Sequence, residues 1–360
     1  MILQNLKKQG SLKLWSVYKN LKRQEHKLTY LFWECTLNCN FFCKHCGSSA
    51  GQRNYPDFLT TAEIKKTLKE ISEDFKPSEI TIAVTGGEPL VRYDLFDVMG
   101  YARSLGFRWG MVTNGFLVTK EVVAKMKKTG MESVVVSIDG IRKVHDDFRL
   151  MKGAYKKAIE EVRLMKEAEF LEHLQITTSV HQGNVDSLEE MYKTFIPLGI
   201  TSWRVMNVDP IGRAENNPEI LLKPEQLIKL LDFIKEKRKT SPIEVTYDCA
   251  GYLGHKYEGE VRSWFFNCQT GINVASIIYN GDIFVCPNVP RRKEFIQGNV
   301  RLNRFSDIWN NKFSIFRNKD RTKNKDCGKC SSWEECLGGS FHLWDFDKNK
   351  PKLCHLKMLE

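Results

Sequence analysis

Three cysteines lie close together near the start of the chain and could hold a metal centre. Cys39, Cys43 and Cys46 are separated by three and then two residues, directly after a short apolar run that predicts a strand. Thiolates are soft ligands for zinc or iron–sulfur clusters, and a four-iron cluster usually takes four of them. Three thiolates would leave one iron open to a small molecule, as catalytic zinc sites keep one open position. The alternative is a zinc knuckle in which Cys35 or His45 is the fourth ligand.

The spacing of these three cysteines resembles that of the radical S-adenosylmethionine (radical SAM) superfamily. The resemblance implies a 4Fe-4S cluster that passes one electron to the sulfonium of S-adenosylmethionine, which breaks to methionine and a 5′-deoxyadenosyl radical. That radical abstracts hydrogen from a substrate, while the protein positions the reactants and excludes water. Cys39, Cys43 and Cys46 are then the catalytic and metal-binding residues, and His45 lines the cofactor.

Two further motifs follow predicted strands and resemble segments of the same superfamily. Gly86 and Gly87 let backbone carbonyls approach a ligand closely, and the Glu88 carboxylate suits an ammonium, although a tight turn is the alternative. The resemblance implies that this motif holds the amino group of methionine. It also implies that Ser137 meets the ribose and carboxylate of the cofactor and that Arg149 clamps the carboxylate, which suits a guanidinium.

The last third of the chain holds a second group of cysteines, which resembles the SPASM extension of radical enzymes that modify peptides or proteins. The resemblance implies one auxiliary 4Fe-4S cluster on four of them, namely Cys327, Cys330, Cys336 and Cys354. A zinc ribbon on the same four is the alternative. A second auxiliary cluster would use Cys268 and Cys286, but Ser340 stands where the pattern expects a cysteine, with Cys249 as an upstream replacement. That cluster could have three cysteines and an exposed iron, have two irons, or be absent.

Strand and helix patterns alternate six times through the first two thirds of the chain. Strands are predicted at residues 28–34, 80–85, 108–113, 133–138, 174–180 and 202–207. Helices are predicted between or after them at residues 61–75, 93–105, 119–129, 155–169, 187–198 and 224–238. This rhythm predicts an α/β fold, a partial (β/α)6 TIM-like barrel with a small, cysteine-rich C-terminal α+β domain. Loops at the carboxyl ends of barrel strands build ligand sites, and the motifs lie there.

We therefore divide the chain into three parts. Residues 1–28 predict an amphipathic helical extension that packs on the main body, with an apolar side formed by Leu6, Leu12, Leu14, Trp15, Val17, Tyr18 and Leu21. Residues 29–240 predict the radical SAM barrel, and residues 241–360 predict the SPASM-like domain. Two weaker resemblances, at residues 113–115 and 210–214, follow the third and sixth strands and could equally be turns.

Composition limits the partners. A formal charge of +11 favours anionic partners, such as an acidic electron donor of the flavodoxin or ferredoxin type. The basic stretches lack the interleaved aromatics of a base-stacking surface, which disfavours nucleic acid. No apolar run is long enough to cross a membrane. Without an export signal, the eleven cysteines are expected to be reduced in the cytoplasm.

These features predict an anaerobic oxidoreductase that abstracts hydrogen from a peptide or protein substrate. Radical tailoring of a small molecule, such as a haem or cofactor precursor, is the second hypothesis. A zinc-bearing nucleic-acid-binding protein is the third. Pro287 stands where sulfatase-maturing enzymes have the aspartate that takes the substrate proton, which argues against sulfatase activation.

Overall fold

The computed structural model describes residues 2–51, 57–247, 251–318 and 320–360, without the side chains of residues 2–9. Its strands are β1 (Tyr30–Thr36), β2 (Thr81–Gly86), β3 (Arg108–Thr113), β4 (Ser133–Ser137), β5 (His173–Val180), β6 (Ser202–Asn207), β7 (Glu244–Tyr247), β8 (Val274–Ile277), β9 (Asp282–Phe284), β10 (Gly298–Asn299), β11 (Trp344–Asp345) and β12 (Lys350–Pro351). Its helices are α1 (Ile2–Glu25), α2 (Thr61–Asp74), α3 (Leu95–Ser104), α4 (Lys120–Lys128), α5 (Lys143–Arg149), α6 (Ala154–Glu167), α7 (Leu188–Phe195), α8 (Pro224–Thr240), α9 (Gly254–Tyr257), α10 (Phe305–Lys312), α11 (Ser314–Arg317), α12 (Trp333–Cys336) and α13 (His355–Leu359).

In the part of the chain that the structure describes, one sheet of ten strands organises the fold, in the order β10-β9-β8-β1-β2-β3-β4-β5-β6-β7. Strands β1 to β7 are parallel neighbours in chain order, and β8 is parallel to β1 on its other side. Strands β9 and β10 continue the sheet in antiparallel pairing. Because β1 to β6 are each followed by a helix, the carboxyl ends of all six lie along one edge. The predicted α/β class with a mostly parallel sheet is confirmed.

The six predicted strands correspond to β1 to β6, and their ends differ from the prediction by about two residues at most. The predicted helices correspond to α2, α3, α4, α6, α7 and α8. Two elements of the barrel were not predicted. Strand β7 extends the parallel sheet beyond β6, and α5 inserts a short helix between β4 and α6. Helix α5 matters for the site because Arg149 is its last residue.

Alternate residues of β1 face opposite sides of the sheet. Leu31, Trp33 and Cys35 belong to the main apolar core, together with helix residues such as Ile64 and Val98. Cys35 is fully buried there. It is therefore a packing residue of the strand that leads into the cysteine loop.

The sheet runs across the predicted boundary near residue 240, since β7 to β10 all follow that position and pair within it. The domain boundary at that point stays a prediction, and the two parts share one hydrogen-bonded sheet. Among the residues that the structure describes, no helix combines the length and the apolar character needed to cross a membrane.

Helix α1 lies against the C-terminal part of the chain through only some of the residues that we expected to pack. Leu12 is buried, and the Trp15 Nε1–H donates to the carbonyl of Phe266. Leu14, Val17 and Leu21, which we expected on the packed side, are exposed. The prediction of the helix is confirmed, and the prediction of which side packs is wrong for these residues.

Candidate active site

The loop that follows β1 brings the first three cysteines together. Cys39, Cys43 and Cys46 belong to one small apolar cluster around Phe41 and Ala154. The loop is closed at its base, where Cys39 N–H donates to the Gly51 carbonyl (3.2 Å) and Gly51 N–H donates to the Leu37 carbonyl (3.1 Å). The Phe41 N–H points at the Cys39 sulfur at 3.4 Å. Amide groups aimed at cysteine sulfur are among the devices that tune iron–sulfur clusters.

Burial keeps the thiols of Cys39 and Cys43 protonated when nothing is bound to them. It raises the pKa of Cys39 to about 12 and that of Cys43 to about 11. A bound metal reverses this, because a coordinating thiol is deprotonated outright. Among the described residues, no three His, Cys, Asp or Glu side chains are arranged around a single metal ion. An iron–sulfur cluster asks for a wider arrangement, since its thiolates bind different irons.

Gly86 and Gly87 join the end of β2 to the cysteine loop. Gly86 has φ +140°, and a Cβ there would lie 2.1 Å from the Thr36 carbonyl oxygen. A Cβ on Gly87 would lie 2.1 Å from the Asn38 carbonyl oxygen. Gly87 N–H donates to the Thr36 carbonyl at 2.8 Å. The two glycines are therefore required by close backbone packing against the cysteine loop, a reason that the sequence pattern did not reveal.

Glu88 is held by donors from the end of β3. Its carboxylate is 1% exposed, and it accepts bonds from the Thr113 hydroxyl and the Asn114 N–H, each at 2.8 Å. Burial raises its pKa. The Asn114 side chain also donates to Asn40 in the cysteine loop at 2.8 Å. The weak resemblance at residues 113–115 thus has a structural role, because these residues orient Glu88 and connect it to the loop.

Arg149 pairs with Asp139, which lies two residues after Ser137 and which sequence reasoning missed. Arg149 Nε and Nη2 each lie 2.8 Å from Asp139 Oδ2, and Ser179 N–H donates to Oδ1 at 2.8 Å. Burial opposes ionisation of Asp139, but Arg149 and the nearby His45 outweigh it and lower its pKa to about 2. Ser137 is buried at the end of β4, two residues away. A carboxylate in that motif was the available sequence signal.

His45 stacks in a sandwich of three rings. Its imidazole lies on Phe148 at 4.3 Å with an interplanar angle of 3°, and His181 lies on the other face of Phe148 at 3.8 Å. Burial lowers the pKa of His45 to about 3, so the ring is neutral at ordinary pH. Its Nε2 is 3.7 Å from Asp139 Oδ2, which is too long for a hydrogen bond. His45 thus offers an uncharged ring edge next to Cys46.

Arg213, in the second weak motif at residues 210–214, fastens the cysteine loop from the side of β6. Its Nε and Nη1 donate to the carbonyls of Cys43 and Ala50, each at 2.7 Å. Its guanidinium lies 4.1 Å from the ring centre of Phe42. The preceding Gly212 has φ +56°, and a Cβ there would meet the Cys46 carbonyl oxygen at 2.4 Å. We had left this motif open as a turn.

Glu34 connects β1 to the C-terminal part of the chain. It is fully buried and forms an ion pair with Arg291, with Nη2 2.5 Å from Oε2. Arg291 lies in the loop that follows Cys286, so the pair links the strand before the cysteine loop to the second group of cysteines. Sequence reasoning missed this residue, because a lone acidic residue in an apolar strand has no local signal.

Four of the C-terminal cysteines lie near one another, and their common ligation of one cluster stays a prediction. Cys327 interacts electrostatically with Cys330 and Cys354, and Cys336 interacts with Cys327 and Cys354. Burial raises the pKa of Cys336 to about 12, and the Gly339 N–H donates to the Cys336 backbone carbonyl at 3.0 Å. Four thiols are the donor set that a 4Fe-4S cluster usually takes.

Cys268 and Cys286 form a second, smaller group. Their thiols interact with each other, and the Thr270 hydroxyl bonds to both. Phe341 N–H points at the Cys268 sulfur at 3.5 Å, which places the buried Ser340 directly beside this pair. Cys249, the predicted upstream replacement, lies outside the described residues. The substituted Ser340 therefore lies near Cys268, and a cluster on Cys268 and Cys286 stays a prediction.

Comparison with known proteins agrees with this arrangement. The model of the radical SAM superfamily matches residues 33–195, and that of the SPASM iron–sulfur cluster-binding domain matches residues 268–331. An AdoMet-dependent heme synthase from Methanosarcina barkeri is 29% identical over 85% of this chain and 89% of its own length. The mycofactocin maturase MftC from Mycobacterium tuberculosis is 27% identical over 86% of this chain and 77% of its own. The structure of native anSMEcpe with bound AdoMet superposes with a TM-score of 0.72 and 19% identity, covering 92% of this chain and 94% of that one.

Proposed function

The chain belongs to the radical SAM superfamily and carries a SPASM iron–sulfur cluster-binding domain, and we propose that Cys39, Cys43 and Cys46 hold the cluster that serves S-adenosylmethionine. The protein is an enzyme whose cofactors are S-adenosylmethionine and 4Fe-4S clusters. When bound, these cofactors supply one-electron cleavage of the sulfonium to a 5′-deoxyadenosyl radical that abstracts hydrogen from the substrate. The remaining assignments concern the side chains that position the cofactor.

Glu88, Arg149, Ser137 and His45 are proposed to hold S-adenosylmethionine. Glu88 is kept in place by Thr113 and the backbone of the next residue, and its buried carboxylate suits the ammonium of methionine. Arg149 is oriented by its ion pair and can share its guanidinium with the carboxylate of methionine. Ser137 is assigned to the ribose, and the neutral ring of His45 lines the cofactor.

The observation that carries this proposal is convergence along one edge of the sheet. Glu88 is joined to the cysteine loop through Asn114, whose N–H donates to Glu88 and whose side chain donates to Asn40. His45 of the loop lies 3.7 Å from Asp139, the ion-pair partner of Arg149. These groups come from the segments after β1, β2 and β4. A zinc knuckle would require the cysteine loop alone and no buried carboxylate or guanidinium beside it.

Anaerobic reconstitution with iron and sulfide, followed by dithionite and S-adenosylmethionine, tests the proposal. Mass spectrometry should detect 5′-deoxyadenosine for the wild type and none for the combined Cys39→Ala, Cys43→Ala and Cys46→Ala variant. The iron content of that variant should fall by about four atoms per chain. Cys35→Ala is the matched control, since Cys35 is a buried packing residue of the same segment. Equal cleavage by the wild type and the triple variant would refute the assignment.

For the substrate, we propose a peptide or protein. Support comes from the maturase MftC, which matches this chain along most of its length. The formal charge of +11 would favour an acidic segment of such a substrate. The C-terminal cluster on Cys327, Cys330, Cys336 and Cys354 would then serve as an electron-transfer centre of this enzyme.

A tetrapyrrole substrate is the second candidate, and specific relatives favour it. Three AdoMet-dependent heme synthases are 28% to 29% identical to this chain over 81% to 89% of their own lengths. A mass-spectrometric assay separates the two candidates. The enzyme would be incubated with iron coproporphyrin III in one arm and with peptides encoded beside its gene in the other. Turnover in the porphyrin arm alone would exclude our first candidate.

A further inference from the structure

Helix α1 presents a stripe of large apolar side chains to solvent. Leu14 is 73% exposed, Val17 and Leu21 are each 58% exposed, and Tyr18 is 43% exposed. Their spacing of three and four residues places them on one face of the helix. The helix is anchored by its other side, through the buried Leu12 and the bond from Trp15 to the Phe266 carbonyl. The side chains of this stripe therefore do not contribute to packing the helix against the rest of the chain.

Trp264 extends this stripe onto the C-terminal part of the chain. Its ring is 71% exposed and stacks on Trp15 at 5.8 Å, while Trp15 stacks on Tyr18 at 4.9 Å. We call Leu14, Val17, Tyr18, Leu21 and Trp264 the α1 patch. Scattered apolar residues on a surface mean little, but a contiguous patch with a polar rim marks an interaction site.

The C-terminal cysteines lie directly beneath the helix. Lys19 Nζ donates to the carbonyls of Glu334 (3.0 Å) and Glu335 (2.8 Å), the two residues that precede Cys336. A narrow cleft between the helix and the C-terminal part is lined by Lys19, Arg23, Cys268 and Cys336. One helix, about 10 Å across, therefore separates the α1 patch from both groups of cysteines.

Charge and size define the partner that fits the α1 patch. Lys13 borders the apolar stripe, Lys22 on its other side is paired with Glu25, and the whole chain carries +11. A second copy of this chain would bring like charges together, which is unfavourable. A patch of five side chains is also smaller than the roughly 800 Å² per partner of a stable complex, and it suits the brief encounters of electron-transfer proteins.

We propose that the α1 patch docks an acidic one-electron carrier protein of the flavodoxin or ferredoxin class. The reduced carrier loses one electron and leaves oxidised, the iron–sulfur centre on the C-terminal cysteines gains that electron, and no covalent bond changes. The inference rests on the proposed C-terminal cluster. It adds a surface and a direction of electron entry to the proposed function.

The test variant is Leu14→Glu with Leu21→Glu, which places two negative charges on solvent-facing positions. The matched control is Tyr93→Glu with Leu302→Glu, at positions that are 85% and 83% exposed elsewhere on the surface. Both variants add the same charge at exposed apolar positions, so they separate docking from the change in net charge. Melting curves of the two should agree.

The probe is a purified acidic flavodoxin, used with the reconstituted full-length enzyme at low ionic strength. Calorimetry should show binding to the wild type and control and at least tenfold weaker binding to the variant, because steering and contact are both lost. Stopped-flow reduction of the clusters by flavodoxin hydroquinone should slow by a similar factor, and added salt should slow the wild type. Reduction by dithionite, which needs no docking, should be the same for all three proteins.

Several results would overturn the inference. One is equal flavodoxin binding by variant and wild type. Another is a dimer of this chain, or a complex with an acidic substrate peptide, that the variant loses while flavodoxin binding is retained. A chain without Cys39, Cys43 and Cys46 should still be reduced by flavodoxin and should show an electron paramagnetic resonance signal from the C-terminal centre. The absence of that signal would also overturn the inference. Failure of the proposed function is distinguishable, because it removes 5′-deoxyadenosine formation with dithionite and leaves the binding data untouched.

Discussion

Replacing Arg213 by methionine should release the cysteine loop while the sheet stays folded. Arg213 donates to the carbonyls of Cys43 and Ala50 at 2.7 Å each and lies over the ring of Phe42. These contacts tie the segment after β6 to the loop after β1. Methionine keeps most of the aliphatic stem and removes the charge and both donors.

The expected effect follows from these contacts. A hydrogen bond that involves a charged group contributes about 1.5 to 3 kcal/mol, and a partly exposed cation over an aromatic ring about 0.5 to 1 kcal/mol. Because the loop relaxes, we take about 3 kcal/mol as the net loss, which is roughly a hundredfold in the population of the closed loop. The closed-loop population of Arg213→Lys should lie between those of the wild type and Arg213→Met, since an ammonium keeps the charge but lacks the planar fork of the guanidinium.

Iron retention is the appropriate assay, because it reports the loop and does not require the substrate. After anaerobic reconstitution and desalting, Arg213→Met should lose iron equivalent to one cluster and bind S-adenosylmethionine weakly. Arg108→Met is the matched control, since Arg108 forms exposed ion pairs with Glu132 and Glu172 at the start of β3. Its iron content should equal that of the wild type. If Arg213→Met keeps all its iron and its affinity for S-adenosylmethionine, the cysteine loop does not depend on the contacts of Arg213.

Three further predictions address the pH response, the second cluster and the cofactor. Burial raises the pKa of Glu34 from 4.5 to about 7, so the folded state binds more protons than the unfolded state in that window. As the pH rises from 4.5 through 7, the free energy of unfolding of the wild type should therefore fall by roughly 3 kcal/mol relative to that of Glu34→Gln. Melting temperatures of the two proteins that change in the same way with pH would contradict this. Ser340→Cys should supply a further thiolate beside Cys268, which should raise the iron content and alter the electron paramagnetic resonance spectrum. An unchanged spectrum and an unchanged iron content would show that residue 340 does not lie at a cluster site. Arg149→Lys should weaken S-adenosylmethionine binding about tenfold at constant iron content, as loss of one charge-assisted contact implies, and wild-type affinity in equilibrium dialysis would count against the assignment.

Much of the fold was predictable because its signals are local. Apolar runs such as residues 108–113 and 202–207 form strands at the predicted positions, and the helices between them follow the spacing of their apolar residues. The cysteine loop was equally readable, because Cys39, Cys43 and Cys46 lie in one short segment that can wrap a single centre. Their grouping depends little on the rest of the chain.

The choice between alternatives for the weaker motifs required the folded chain. Residues 113–115 and 210–214 have the composition of turns, and only packing shows that Asn114 serves Glu88 and that Arg213 reaches the carbonyl of Cys43. Such contacts join segments far apart in sequence. They depend on how the sheet brings the ends of its strands together.

The orientation of α1 has a similar explanation. Its sequence determined a helix with apolar residues on more than one side, but an amphipathic pattern does not specify which side meets the body when both carry apolar residues. The tertiary structure decided this through long-range contacts, above all the bonds from Lys19 to the carbonyls before Cys336. The cysteine pattern therefore determined the chemistry of this protein, while the packing of distant segments decided which side chains hold that chemistry in place and which surface is left for a partner.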